Sequence, residues 1–181
     1  MSGFPGGTAV SRIRVYDWPT PDGVWGGTPH LHTTSTEGYV VLSGTGTLET
    51  LSGDGYGEHP LTAGTVLWFT PGTVHRLVNT GRDLEILVVM SNAGLPEAGD
   101  AVMTFPPETL ADPAAYAAAA ALPATEDSEE LAAAARRRRD LAITGYLDLR
   151  ERVRAEGPRA LEPLHRAAAA LVRDRVETWR E

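Results

Sequence analysis

Three histidines and one glutamate in the first half of the chain have the spacing of metal ligands. His30 and His32 are separated by one residue, Glu37 comes five positions after His32, and His75 comes just after a Pro-Gly turn. In a strand, side chains alternate between faces, so His30 and His32 point the same way. Glu37, at the entry to the next strand, can turn back toward them. Three imidazoles and a carboxylate suit zinc, copper, iron and nickel, and manganese tolerates them.

The segments around these residues have the pattern of short strands separated by turns. Residues 1–110 are rich in glycine, threonine, valine and aromatic residues, and turn sequences such as PDG, SGDG, TPG and NTG interrupt the apolar runs. This rhythm is typical of an all-β sandwich or barrel. The predicted strands are SRIRVYDW, EGYVVLSG, GTLETLS, GTVLWFT, HRLVN and LEILVVMS.

Residues 111–181 differ in composition, since alanine, leucine, arginine and glutamate dominate and favour helices. Asp127 or Ser128 can cap a long helix, and a Gly-Pro pair ends it. The predicted helices lie near residues 112–121, 127–156 and 160–180. The chain therefore divides into a β-barrel over residues 1–110 and a helical extension over residues 111–181. We expect the extension to form a hairpin that packs either on the barrel or on a dimer partner.

Two spaced patterns match motifs of a known family. The pattern His-x-His-x4-Glu-x6-Gly, which resembles the first motif of the cupin family, is filled by His30, His32, Glu37 and Gly44. The pattern Gly-x2-His-x3-Asn, similar to the second motif, is filled by Gly72, His75 and Asn79. The resemblance implies an antiparallel jelly-roll barrel with a metal ion inside its mouth. Carried over residue by residue, it makes the three histidines and the glutamate the metal ligands.

From a metal site of this kind we predict an enzyme that acts on a small oxygen-bearing organic substrate. The expected cofactor is one divalent ion of iron, manganese, nickel or zinc, and the reaction is either of the dioxygenase type or an isomerisation, cyclisation or lyase reaction. Tyr39 shares a strand face with Glu37 and is the candidate catalytic acid. The alternative is a non-catalytic, metal-bearing module that binds or senses a small molecule, because one barrel can serve either role.

Composition and charge argue against other classes. A net charge of −8 disfavours nucleic acids and anionic membranes as partners. The arginine run at residues 136–139 is interpreted as a solvated, salt-bridged helix face. There is no cysteine, no long apolar run and no signal-peptide pattern, so a cytoplasmic protein is expected.

Three further expectations concern single segments. Trp68 and Phe69 lie on opposite faces of one strand, so one of them points inward and the other points out of the barrel. The outward side chain is expected to be buried by a second subunit, which predicts a homodimer, or by the helical extension. Arg76 is expected to form a surface ion pair. Residues 91–100 are interpreted as an ordinary connection, with a lid over the barrel mouth as the alternative.

Overall fold

The computed structural model describes residues 6–92 and 99–176, in which two antiparallel sheets form a barrel. The strands are β1 (Ala9–Arg14), β2 (His30–His32), β3 (Glu37–Ser43), β4 (Thr45–Ser52), β5 (Gly55–Thr62), β6 (Val66–Phe69), β7 (Val74–Val78), β8 (Glu85–Met90) and β9 (Ala101–Met103). In these residues, one sheet has the order β1-β8-β3-β6 and the other the order β5-β4-β7-β2-β9. This architecture confirms the mainly-β antiparallel barrel predicted from the sequence.

The barrel interior is built from alternating residues of both sheets. Tyr39 and Val41 point inward from β3, and Ile86 and Val88 point inward from β8, which pairs with it. The full inner cluster comprises Val15, Tyr39, Val41, Leu48, Leu61, Leu84, Ile86, Val88 and Met90. Period-two alternation of this kind is what the sequence pattern indicated.

The turn between β3 and β4 depends on a glycine. Gly44 has a φ of 79°, and a Cβ atom added there would lie 2.4 Å from the backbone oxygen of Asp83. Only glycine fits both the left-handed backbone and this close approach. Asn79 supports the same end of the barrel by donating to the backbone oxygen of Val15 and accepting from the backbone NH of Leu84.

The six predicted strands omit three of the nine that the described residues form: β2, which was treated as a strand only for the alternation of His30 and His32, and two that were not expected. Strand β5 has the sequence GYGEHPLT, in which glycine, proline and charged residues weaken the strand signal. It forms because it pairs with β4 along its whole length, from Thr45 with Thr62 to Ser52 with Gly55. Strand β9 is only three residues long and pairs with β2.

The helices follow the barrel. They are α1 (Pro107–Leu110), α2 (Pro113–Ala120), α3 (Ser128–Glu156) and α4 (Glu162–Val172), with 3-10 turns at Pro158–Leu161 and Arg173–Arg175. Asp127 caps α3 by accepting hydrogen bonds from the backbone NH groups of Glu129 and Glu130, and Gly157 ends it with a φ of 82°. Residues 177–181, part of the last predicted helix, lie outside the described residues. None of the described helices is long and apolar enough to cross a membrane.

The helical extension packs on the outer face of the five-stranded sheet of its own chain. That face contributes Leu31, Leu51, Val74 and Val102 to a second hydrophobic cluster. The helical residues of the cluster include Leu110, Ala142, Tyr146, Leu149, Val153, Leu161, Leu164 and Val172. The extension was expected to pack either on its own barrel or on a dimer partner, and in the structure it packs on its own barrel. The domain boundary at residue 110 stays a prediction.

Two arginines expected at the surface are buried at this junction instead. Arg76 is only 1% exposed and forms an ion pair with Asp22 at 2.7 Å, beneath the ring of Tyr146. Arg139 is also 1% exposed, and it donates to the backbone oxygens of Trp18 and Pro19. Both surface predictions were wrong because α3 covers this side of the barrel, which single-sequence periodicity does not reveal.

Candidate metal centre

The four predicted ligand residues lie together where the two sheets meet. His30 and His32 stand on β2, Glu37 begins β3, and His75 lies on β7. His30 and His75 are direct register partners in the five-stranded sheet, whereas Glu37 belongs to the four-stranded sheet. The cluster therefore connects both walls of the barrel.

The side-chain atoms of this cluster converge closely. The Nε2 atoms of His30 and His75 are 3.2 Å apart. Glu37 Oε2 lies 3.3 Å from His32 Nε2 and 3.2 Å from His75 Nε2. One potential ligand atom from each of the four residues lies within 4.8 Å of all the others.

Backbone carbonyls fix the orientation of two of the rings. His30 Nδ1 is 2.9 Å from the backbone oxygen of Thr28, and His75 Nδ1 is 3.1 Å from that of Thr73. A carbonyl oxygen only accepts hydrogen bonds, so each Nδ1 must carry the hydrogen. In the neutral rings, the Nε2 atoms that face each other therefore both present lone pairs.

A carboxylate fixes the third ring. Asp100 Oδ1 accepts from His32 Nδ1 at 2.8 Å, and its Oδ2 accepts from the backbone NH groups of Thr34 and Ser35 and from the Thr34 hydroxyl. Asp100 is fully buried. A carboxylate behind a histidine ligand sets the tautomer and raises the basicity of the nitrogen that faces the metal.

These contacts leave the interior side of the cluster rich in hydrogen-bond acceptors. Glu37 Oε2 is buried without a well-formed hydrogen bond in the described residues, and the Nε2 atoms of the three histidines surround it. Buried acceptors that face one another are unfavourable unless a cation lies among them. The donor set, three imidazole nitrogens and one carboxylate oxygen, fits a divalent transition metal.

The protonation behaviour of the cluster agrees with a cation site. Burial, together with the neighbouring His75 and His32, lowers the pKa of His30 to about 3, so this ring is neutral at pH 7. Burial also acts to lower the pKa of His32, but the carboxylates of Asp100 and Glu37 beside it raise this pKa to about 9, so without a metal ion the ring carries a second proton, at Nε2. Burial acts to raise the pKa of Glu37, but the surrounding histidines lower it, so the carboxylate is charged. A metal ion that binds here would displace the proton on His32.

A cavity of about 260 Å³ opens beside the cluster. Its lining includes His30, His32, Glu37 and Tyr39, apolar side chains from β7 and β8, and Arg138 of α3. Tyr39 is buried, and burial together with the nearby Glu37 carboxylate raises its pKa, so the phenol keeps its proton. A larger groove of about 470 Å³ passes His59 on β5 but contains none of the four cluster residues.

Two residues at this site were not assigned from the sequence. Asp100 ends the segment considered as a connection or a lid, of which residues 93–98 lie outside the described residues. Arg138 belongs to the arginine run that was interpreted as a solvated helix face. Neither residue has a local spacing that signals its position, because Asp100 is 68 residues from His32 and Arg138 reaches the barrel only through helix packing.

Comparison with known proteins agrees with this geometry. A family model described as a cupin domain matches residues 20–90, which include all four clustered residues. No curated protein matches the sequence.

Several solved structures are similar over about half of the chain. The TDP-quinovose 3,4-ketoisomerase WlaRB from Campylobacter jejuni has a TM-score of 0.42 and 18% identity over 52% of this chain and 68% of that chain. The nucleoside dehydratase Pac13 from Streptomyces has a TM-score of 0.39 and 16% identity over 55% of this chain and 69% of that chain. A predicted oxalate decarboxylase from Thermotoga maritima has a TM-score of 0.34 and 26% identity over 46% of this chain and 63% of that chain.

Proposed function

Because the chain contains a cupin domain, we propose that His30, His32, Glu37 and His75 hold one divalent metal ion with which the protein transforms a small oxygen-bearing organic substrate. The observation that carries this proposal is the convergence of three histidine Nε2 atoms and a buried carboxylate oxygen on one point. Without a metal ion or an extra proton at this point, these buried acceptors would face one another with no donor between them.

The bound ion would supply Lewis acidity toward substrate oxygens and, with iron, dioxygen chemistry. The protein's own contribution is positional. Asp100 holds the His32 ring, the Thr28 and Thr73 carbonyls hold the other two rings, and the apolar lining limits water around the substrate. Tyr39 is the candidate acid, because its buried phenol keeps its proton within the same cavity.

Metal analysis tests the proposal directly. Inductively coupled plasma mass spectrometry on tag-free protein should find about one equivalent of iron, manganese, nickel or zinc, and almost none in the His30→Ala/His75→Ala variant. The matched control is His59→Ala/His165→Ala, which removes two histidines outside the cluster and should retain the metal. Negligible metal in the parent after reconstitution with each ion, or equal loss in both variants, would refute the site.

A non-catalytic role as a small-molecule sensor or binding module is the second candidate. The observation that favours it is the scarcity of acid and base groups in the cavity, where Tyr39 and Arg138 are the titratable lining residues among those described, other than the proposed ligands. The metal-loaded protein would then be stabilised by its ligand against heat without forming any product. If the parent turns over a substrate and Glu37→Ala loses both this activity and the metal, the protein is an enzyme and not a binding module.

A further inference from the structure

Arg138 brings a positive charge from the helical extension to the cavity beside the metal centre. It is half-buried on α3 and lines the same cavity as His30, His32 and Glu37. Its Nη1 donates to the backbone oxygen of Ala120, the last residue of α2, at 3.2 Å. Its Nε atom is buried without a hydrogen-bond partner, and no carboxylate in residues 6–92 or 99–176 lies within ion-pair distance.

The neighbouring arginines of the run have other environments. Arg136 lies over the ring of Trp18 at 4.5 Å, and Arg139 donates to the Trp18 backbone oxygen and forms an ion pair with Asp140. Arg137 is exposed to solvent. Arg138 is therefore the member of the run that lines the metal-site cavity and has no carboxylate partner in the described part of the chain.

The charges around the cavity indicate what the Arg138 guanidinium binds. Glu37 and Asp100 together carry two negative charges, which balance a divalent ion held by neutral histidines. No carboxylate in residues 6–92 or 99–176 then compensates the charge of Arg138. The rest of the lining is mostly apolar, with Leu77, Ile86, Val88, Met90 and Met103 among its residues.

We propose that Arg138 binds the carboxylate of a small monoanionic acid whose apolar body fills the cavity, and so determines the substrate class of the metal site. The inference rests on the proposed function, which it deepens. A guanidinium matches a carboxylate in shape and can donate two parallel hydrogen bonds to it. A single arginine in a cavity of about 260 Å³ suits one carboxylate better than a phosphate, which carries more charge and needs more donors.

Calorimetric titration with acids and their neutral analogues tests this assignment. The probes are benzoate, hexanoate and pyruvate, with benzamide as the uncharged match for benzoate, added to the full chain after zinc reconstitution and again after treatment with EDTA. We expect at least one acid to bind, and benzoate to bind at least about tenfold more tightly than benzamide. Arg138→Gln should lower affinity for the acid about tenfold and leave benzamide binding unchanged.

Control variants separate this role from general effects. Arg137→Gln removes the same charge from the adjacent exposed position and should bind the acids like the parent. Glutamine at position 138 can still donate to the Ala120 oxygen, and Arg138→Lys, which keeps the charge without the fork, should give an intermediate affinity. Circular dichroism and thermal melting verify that each variant is folded.

Several results would overturn the inference. These are equal binding of acid and amide, no effect of Arg138→Gln, the same loss in Arg137→Gln, or no binding of any of the three acids at millimolar concentration. Metal content, measured on the same samples, should be equal in the parent and Arg138→Gln. If the parent takes up no metal, the proposed metal function fails, but the ratio of acid to amide affinity in the EDTA-treated protein still decides the role of Arg138.

Discussion

At the scale of single residues, Asp100 decides how well the metal site is organised. Its two oxygens accept four hydrogen bonds, one from His32 and the others from Thr34 and Ser35. In Asp100→Asn, the amide nitrogen cannot accept, so either the His32 ring or the donors of residues 34 and 35 lose their partner. We predict that metal affinity falls about 10-fold to 100-fold, measured by competition with a chelator of known affinity.

A matched substitution tests whether this effect is specific. Asp54 lies in the exposed turn between β4 and β5, and Asp54→Asn makes the same chemical change away from the cluster. It should bind metal like the parent. Unchanged affinity in Asp100→Asn would mean that His32 is held in place by its strand alone.

The residues of the site differ in how visible they are in the sequence. The spacing of His30, His32 and Glu37 is local, and strand geometry converts it directly into proximity, so the structure brings these residues together with His75 as expected. Asp100 and Arg138 contribute through contacts between distant segments. Their positions depend on how β9 pairs with β2 and how α3 packs on the barrel, which no local pattern specifies.

At the scale of elements, two ion pairs of equal length illustrate the effect of burial. Arg76 and Asp22 are 2.7 Å apart under α3, and Arg12 and Glu85 are 2.7 Å apart on the surface. Removal of Arg76 leaves Asp22 without its cation, whereas Glu49 keeps its contact with Arg150 at 3.6 Å. We therefore predict that Arg76→Ala lowers the free energy of unfolding by about 3–5 kcal/mol, measured by urea denaturation.

The surface pair provides the control for this prediction. Arg12→Ala removes an arginine that is mostly exposed, where solvent and salt screen the charge. Its unfolding midpoint should stay close to that of the parent. Equal destabilisation by the two substitutions would show that packing of α3 on the sheet does not depend on the buried pair.

A close helix contact makes a second prediction at this scale. Gly145 lies inside α3, and a Cβ atom added there would be 2.2 Å from the backbone oxygen of Thr104 and 2.6 Å from the backbone carbon of Phe105. Alanine is the better helix former by about 1 kcal/mol, so helix propensity alone predicts stabilisation. We expect the steric clash to dominate, so that Gly145→Ala lowers the free energy of unfolding by about 1–3 kcal/mol.

The adjacent position separates the two contributions. Thr144 is exposed, and Thr144→Ala raises helix propensity without a clash, so its free energy of unfolding should be equal to that of the parent or higher. Chemical denaturation of both variants measures the difference. Stabilisation of both would show that α3 can move away from the segment after β9 at little cost.

The elements were predictable where the local signal was strong. Strand β3 was expected because apolar and polar residues alternate along it. Helix α3 was expected because its ends carry capping residues, and it does begin after Asp127 and end before Gly157. Strand β5 and helix α1 were not expected. Their glycines and prolines resemble a turn or linker, and β5 is stabilised by a partner strand instead of its own propensity.

At the scale of the whole molecule, the outer faces of the two sheets differ in what covers them. Helices bury the outer face of the five-stranded sheet, whereas the other sheet exposes Trp68 to 73% and Val66 to 60%. Trp68 is paired with Gly38, and Val66 with Val40, so these residues share one outward apolar face. Phe69 points into the barrel, toward the ring of His75. This agrees with the expectation that one of Trp68 and Phe69 points inward.

This exposed face leads to the prediction of a homodimer in which two copies pack their four-stranded sheets together through Trp68. Burial of an exposed tryptophan at the centre of a symmetric interface contributes strongly to association, and a charge there would have to be desolvated. Size-exclusion chromatography with multi-angle light scattering should therefore give twice the chain mass for the parent and the chain mass for Trp68→Glu. The control is Leu131→Glu, which charges an exposed apolar residue on α3 and should remain dimeric. Because the face lies outside the barrel, the Trp68→Glu monomer should retain its metal. A parent protein that elutes as a monomer at all concentrations would contradict the prediction.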